Sequence, residues 1–449
     1  MAVSGRVVVV GGGITGLTAA WALRRTPDPP EVVVLEADDR LGGKILGSPF
    51  AGLPNVEAGP DMFLARVPWG TELCRDLGID DLTSPATGAA YVWWGGALRP
   101  LPAGLVLGAP TDPVGLARTR LLTWRGKVRA AAEPLVPRSD PHDSLGRLVR
   151  YRFGDEVLER LVDPLVGGIN AGDADRLSLT ASAPQLADAA GRHRSLLLGL
   201  RGTTGRAAAG PAFFTPAAGL GTIVDALAAR LPDIRLGAAA DGIERRGDRW
   251  VVSGEECDAV VVAVPAFAAA ELLTGVAPSA ASLAAAIPSS GVVVVTLAVA
   301  EDAVPRALDG SGHLVPKPVQ RHLTACSWAS AKWAHWRVPG RHVLRASLGR
   351  FGDDHALDLD DDAVLAATLA DLREQLGLRA EPVEVRITRW PRAFPQHLPG
   401  HLDRVAALER SLPPGVVVAG AAYRGIGIPA CIRQGREAAA AVQRHLATV

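Results

Sequence analysis

Val7 to Val10 form an unbroken β-branched run with no polar alternation, the pattern of a parallel strand buried on both faces. The run leads directly into Gly11, Gly12 and Gly13. Ile14 to Arg25 then carries helical spacing and is stopped by Pro27, Pro29 and Pro30. Glu31 to Leu35 repeats the buried-strand pattern and ends at Glu36. Together these segments predict one βαβ unit.

From about residue 85 to 210 the strand signals thin out, and the spacing predicts helices over Pro113 to Glu133 and Ser144 to Leu165. Strands are expected again at Arg249 to Val252 and Ala259 to Val264, and the apolar run Gly291 to Ala300 begins another sheet. Asp361 to Leu376 reads as a helix with an acidic start at its positive dipole end. Val416 to Ala419 and Gly420 make a last strand and turn before a final helix. The fold class expected is α/β. A Rossmann-type nucleotide-binding domain is assembled from 1–84, 211–285 and 395–449, a sheet-based substrate domain occupies 286–394, and a helical, membrane-surface-like insertion occupies 85–210.

Composition narrows the function classes. With 449 residues, 48% of them hydrophobic and 21% charged, the chain has apolar material for more than one core. Lys plus Arg (47) equals Asp plus Glu (47), so no global field would hold a polyanion, and nucleic acid is not expected as a partner. Cys74, Cys257, Cys326 and Cys431 lie far apart with no CxxC pair, which predicts neither a disulfide frame nor a metal site and fits a reduced cytoplasm. No apolar run reaches the roughly 18 residues that would span a bilayer. Arg118 to Ala130 does combine Arg118, Arg120, Arg125, Lys127 and Arg129 with Leu121, Leu122, Trp124 and Val128. That amphipathic segment suits anionic lipid headgroups, but a solvated basic face over a packed helix is the preferred reading.

The chemistry begins at the first glycine turn. Gly11, Gly13 and Gly16 form GxGxxG, which supplies a tight turn, close approach of backbone to a pyrophosphate, and close helix-to-strand packing. Gly12, Ile14 and Thr15 complete the turn, and the helix start behind it offers free N–H groups to phosphate. Glu36 stands 20 residues after Gly16, where a carboxylate accepts from ribose hydroxyls, with Ala37 beside it. Arg40, Gly42, Gly43 and Lys44 then run back across the phosphates, a second clamp that suits a permanently held flavin nucleotide better than a mobile nicotinamide one. Gly420 to Ile432 (GAAYRGIGIPACI) is a second strand, glycine turn and helix start, fitted to the pyrimidine side of a flavin, where negative charge builds on reduction.

RLGGK resembles the RxGG element of the amine oxidase-like FAD superfamily. Together with EAGPDMFL (57–64), DPLVGGINAGDADRLSL (163–179), CSWASAKWAHW (326–336), WPRAFPQHLPG (390–400) and GIGIPACI (425–432), it closely resembles the oxygen-dependent porphyrinogen oxidases of haem biosynthesis. The resemblance spans nearly the whole chain. It implies an FAD enzyme that takes six electrons from a porphyrinogen and passes them to O2, giving H2O2. The expected substrate is coproporphyrinogen III, with protoporphyrinogen IX as the alternative. By the same resemblance FAD contacts fall on Gly11 to Gly16, Glu36, Lys44, Ala58, Gly59, Pro60, Asp61, Trp390, Ile426, Gly427 and Ile428. Ala240, in an expected short strand, holds adenine through its backbone. Ala240 and Asn170 depart from the valine and tyrosine common in that family.

The substrate's carboxylates call for a cation near the pocket mouth, and Arg66 and Lys332 are the candidates, with Ile169 and Asn170 as wall residues for the flat macrocycle. No general base is named: His335, His397 and His401 are candidates by type only, and a structural role is preferred for each. Two other functions stay open. One is an amine oxidase or carotenoid desaturase, for which Tyr423 supplies at most one of the flavin-facing aromatics; the other is a non-catalytic flavin module. A homo-oligomer and a hand-off to the next haem-pathway enzyme are also left open.

Overall fold

The computed structural model describes residues 5–138, 143–204 and 210–448. The two valine-rich runs pair in parallel as Arg6–Val10 and Glu31–Leu35. Ile234–Arg235 joins the outer side of Glu31–Leu35, while Ala259–Val262 and Val416–Val418 follow on the other side of Arg6–Val10, all in parallel. The first strand is therefore central, with its sequence neighbour Glu31–Leu35 on one side and strands from far along the chain on the other.

Alternation across this sheet divides its valines between two cores. Val7 and Val9 face one layer and Val8 and Val10 the other. Each such buried side chain contributes about 1.5–3 kcal/mol. On the first face the helices Ile14–Arg24 and Ile428–Leu446 pack together. Their backbones approach so closely that a Cβ on Gly435 would lie 2.5 Å from the Thr15 carbonyl oxygen. On the second face lie Ala266–Leu273, Pro278–Ala285 and His401–Arg410.

The second sheet is built on Ser289–Ala300, which pairs antiparallel with both Arg341–Leu348 and Glu384–Pro395. Leu323–Ser327 and Gly312–Leu314 extend it. At its far edge stand Tyr91–Trp93 and Leu98–Pro100, inside the stretch expected to be helical. Three-residue strands are too short to show period-two alternation, so sequence periodicity misses them.

The expected helices of the insertion are also shorter. Pro113–Arg118 and Trp124–Ala131 are separate because Thr123 caps the second, accepting the Gly126 N–H at 3.1 Å. Leu145–Phe153 ends at Gly154, whose φ of 90° suits glycine. Leu158–Gly167 then winds as a wide π-helix around Pro164, which has no N–H for the usual ladder. By contrast Asp361–Leu376 matches its expected bounds, capped by Asp360 and closed by Gly377 at φ 71°. Among the described residues no helix is long and apolar enough to cross a membrane.

Candidate functional site

The first glycine turn has the shape its sequence requires. Gly11 sits at φ 110°, where a Cβ would lie 2.7 Å from the Ala263 carbonyl oxygen, and a Cβ on Gly16 would lie 2.0 Å from that of Gly11. At Gly13 a Cβ would meet nothing within 4 Å, so the turn is open on the side where a pyrophosphate would sit. Behind it the helix from Ile14 begins with no side-chain cap and no acid in its first turn, leaving the N–H groups around Thr15 for an anion. Glu36 is held at the end of its strand: one carboxylate oxygen accepts from Gly12 N at 2.6 Å and the other from Asp38 N at 2.9 Å.

The RLGGK turn folds onto this cradle, with Gly42 N donating to the Gly12 carbonyl at 2.9 Å. Arg40, expected across the phosphates, instead donates to the carbonyl oxygens of Leu41 (3.2 Å) and Gly43 (2.7 Å). Its guanidinium closes the turn by supplying donors to the Leu41 and Gly43 carbonyls, beside Gly42 and Gly43 at positive φ. Ala37 is exposed. Lys44 is an inward-facing ammonium whose pKa is lowered by burial, and among the described residues no carboxylate pairs with it. Such a cation suits an anionic ligand.

A third segment closes over the turn. Trp390 Nε1 donates to the Ala58 carbonyl at 3.0 Å, and a Cβ on Gly59 would lie 2.1 Å from the Lys44 carbonyl oxygen. Pro60 thus sits between the glycine clamp and the second sheet. Next to it Asp61 Oδ2 accepts from Lys332 Nζ at 2.7 Å and from Trp333 Nε1 at 3.0 Å, with Arg345 at 3.5 Å. Burial alone would raise the pKa of Asp61, but Lys332 and Arg345 outweigh it and hold the carboxyl at about 2. Lys332 is therefore buried and neutralised rather than waiting at a pocket mouth, since two buried cations beside an absent anion would be far more costly. Arg345 and Trp333 were not expected here. Only the fold reveals them, bringing Arg345 from a strand and Trp333 from the turn after Ala329–Lys332 to one carboxylate.

The remaining expected residues divide. Ile426, Gly427 and Ile428 lie at the start of the last helix, where Gly427 offers no side-chain cap and the first turn holds no acid. Ala240 lies in an irregular stretch between Ile234–Arg235 and Ile243–Arg246, not in a strand; its neighbour Ala238 donates to the Glu36 carbonyl at 2.8 Å, which holds the stretch beside Glu36. Asn170 is buried and donates to the Val166 carbonyl at 2.8 Å, so its amide caps the π-turn. Ile169 beside it is 56% exposed. Ala171, Val292 and Val294, with Trp390 and Phe394, form a small apolar cluster between this wall and the Ala58 turn. Arg66 is exposed and makes no ion pair among the described residues. Tyr423 is fully buried under the sheet with its hydroxyl unpartnered, which removes it as a flavin-facing aromatic. His397 and His401 are buried against backbone carbonyls, as a structural role requires, while His335 sits between Trp333 and Trp336 with neither ring nitrogen bonded.

An open glycine turn, a carboxylate at a strand end, a partly buried ammonium with no carboxylate partner among the described residues and two uncapped helix starts make a site complementary to one dinucleotide. The residues present fit FAD. The arrangement defines a flavin-dependent oxidoreductase. The family model described as flavin containing amine oxidoreductase matches residues 14–443, and the chain belongs to that family. It is 35% identical over 456 residues to the coproporphyrinogen III oxidase of Bacillus subtilis (strain 168), covering 96% of each chain. With that of Mycobacterium tuberculosis (strain ATCC 25618 / H37Rv) it shares 36% identity, covering 94% of each. A solved structure from Exiguobacterium sp. 255-15, provisionally described as a protoporphyrinogen oxidase, superposes with a TM-score of 0.87 at 31% identity, covering 98% of this chain and 99% of that one. Cyclohexylamine oxidase from Brevibacterium oxydans IH-35A, at 19% identity and TM-score 0.71, shares the fold.

Proposed function

We propose that this protein oxidises coproporphyrinogen III to coproporphyrin III with O2 as acceptor. The observation that carries the reading is the full-length similarity to coproporphyrinogen III oxidases, joined to a flavin clamp built from residues of this chain. FAD, when bound, supplies the two-electron acceptor. Six electrons and six protons leave the substrate in three two-electron steps, each reducing one O2 to H2O2. Hydride leaves a methylene bridge flanked by electron-rich pyrroles, whose nitrogens stabilise the cation formed, so the protein needs no strong base.

The chain's own residues position and shield. Gly11 to Gly16, Glu36 and Lys44 would hold the dinucleotide. Trp390 fixes the Ala58 turn, and the apolar cluster of Val292, Val294 and Phe394 excludes water beside it. Asp61, Lys332 and Arg345 keep the floor of the site rigid, and exposed Arg66 offers a cation to substrate carboxylates.

Purified protein under air with coproporphyrinogen III and, separately, protoporphyrinogen IX tests this through porphyrin fluorescence and peroxide. The expected result is faster turnover of coproporphyrinogen III. Turnover of protoporphyrinogen IX alone would transfer the reading to that substrate, and turnover of neither would end it.

Peripheral membrane contact, second to a solvated basic face on sequence alone, joins the proposal because Trp124 and Val128 stand exposed while Leu121 and Leu122 are buried. Trp124, 70% exposed, stands with exposed Val128 and Leu135 among Arg118, Arg120 and Arg125. Sedimentation with phosphatidylglycerol vesicles but not phosphatidylcholine vesicles is the expected outcome, reduced by Trp124→Ala. Direct hand-off of the flat, carboxylate-bearing product to the next enzyme belongs to the same proposal.

A further inference from the structure

The short segment between the second sheet and the helix His401–Arg410 touches both halves of the site. Gln396 is buried and donates from Nε2 to the Asn170 carbonyl oxygen and to Ser290 Oγ, both at 2.9 Å. It thereby grips the substrate wall. His397 reaches the other way, with Nε2 3.2 Å from the Ala421 carbonyl oxygen, and His401 Nε2 lies 2.7 Å from that of Tyr423. A carbonyl oxygen only accepts, so both imidazoles carry their proton on Nε2. The rings stack with centroids 4.0 Å apart and planes at 18°. The loop they hold is fastened again by Arg424 to Glu409, and by Gln434 Oε1, which accepts from Gly420 N at 3.4 Å and Arg424 N at 3.2 Å. It ends at Gly427, the uncapped start of the last helix.

We propose that Gln396, His397 and His401 form a strap that sets the spacing between the substrate wall and the pyrimidine end of the flavin, each acting as a positioning residue. The proposal rests on the flavin reading of the loop above. Three buried polar side chains within one short segment all bond groups of the wall or the flavin loop. Two of them keep an orphaned acceptor, Gln396 Oε1 and His401 Nδ1, which apolar packing would avoid. Polarity is retained for the donors, and what the donors fix is the relative placement of two segments. Misplacement of about 1 Å can cost a hydride transfer roughly 100-fold.

Three readings separate positioning from packing: FAD affinity, the flavin midpoint potential taken by dye equilibration during chemical reduction, and the anaerobic rate of flavin reduction by coproporphyrinogen III. His401→Leu removes the donor, whereas His401→Gln returns an N–H near the place of Nε2. With FAD bound, His401→Leu is expected to reduce more slowly, by up to about 100-fold, and at a more negative potential because the helix start no longer faces the developing charge. His401→Gln should recover most of both. Should His401→Leu fail to fold, His401→Asn, too short to reach Tyr423, replaces it in the same comparison. Gln396→Met is expected to change KM and kcat while leaving the potential at its wild-type value. A wild-type potential and wild-type reduction rate in FAD-loaded His401→Leu or His401→Asn, with only a lower melting temperature, would overturn the strap. The potential and affinity readings need no substrate, so failure of coproporphyrinogen III to reduce the wild-type flavin would sink the proposed reaction without deciding the strap.

Discussion

Individual residues in this site act through what they neutralise. Asp61 is the clearest case, because three donors converge on one of its oxygens. Asp61→Asn would leave the buried cations of Lys332 and Arg345 with no counter-charge, and the expected loss is about 3–5 kcal/mol of stability, measured by urea unfolding. Since its folded pKa of about 2 lies below the ordinary value of 3.8, its contribution is complete above about pH 4 and is lost as the pH falls towards 2. His397 also destabilises the fold on acidification, over a higher pH range, because its buried ring resists protonation. Burial, then repulsion from His401, lowers its pKa from 6.5 to about 3, so between those values the unfolded chain binds a proton that the folded chain refuses. Stability is expected to fall as the pH drops below about 6.5, and His397→Gln should flatten that slope in melting curves recorded from pH 7 to 4. At Glu36, substitution by Gln is expected to weaken FAD roughly tenfold, about 1.4 kcal/mol, by fluorescence titration of apoprotein. Glu36 and the glycines are legible in sequence as regards placement, because their spacing puts them at one strand end and one tight turn. Lys332 and Arg40 are not: only the fold shows that one meets Asp61 and the other its own turn.

Between elements, the tightest joint is that of the first and last helices. Gly435 has no room for a methyl group against the Thr15 carbonyl, so Gly435→Ala is expected to cost about 1–3 kcal/mol and to lower both the melting temperature and FAD retention. A control at Gly191, where a Cβ meets nothing within 4 Å, should be nearly silent. Long periodic elements such as Asp361–Leu376 and Glu31–Leu35 can be read from sequence to the residue, because hydrophobic spacing and caps agree. The insertion is read less well. Its helices are cut by Thr123 and Gly154, and Pro164 imposes a winding that no heptad pattern announces.

Across the whole molecule, charge is balanced and ion pairs act locally. Asp163 in the π-helix, held by Arg350 at 3.3 Å and Lys317 at 3.3 Å, ties the insertion to the second sheet. Arg350→Met is expected to loosen that tie, raising amide exchange around Asp163 to Ala174 while the parallel sheet stays protected. The parallel sheet itself carries a consequence for biogenesis. Its central strand is synthesised long before Val416–Val418 and the helix behind Gly427. Until they arrive the nascent chain presents Val260 and Val262 on an unpaired edge and has only half a cradle. Flavin loading is therefore expected to wait for that helix, and cells starved of riboflavin are expected to accumulate aggregation-prone apoprotein, measured by its share of the insoluble fraction.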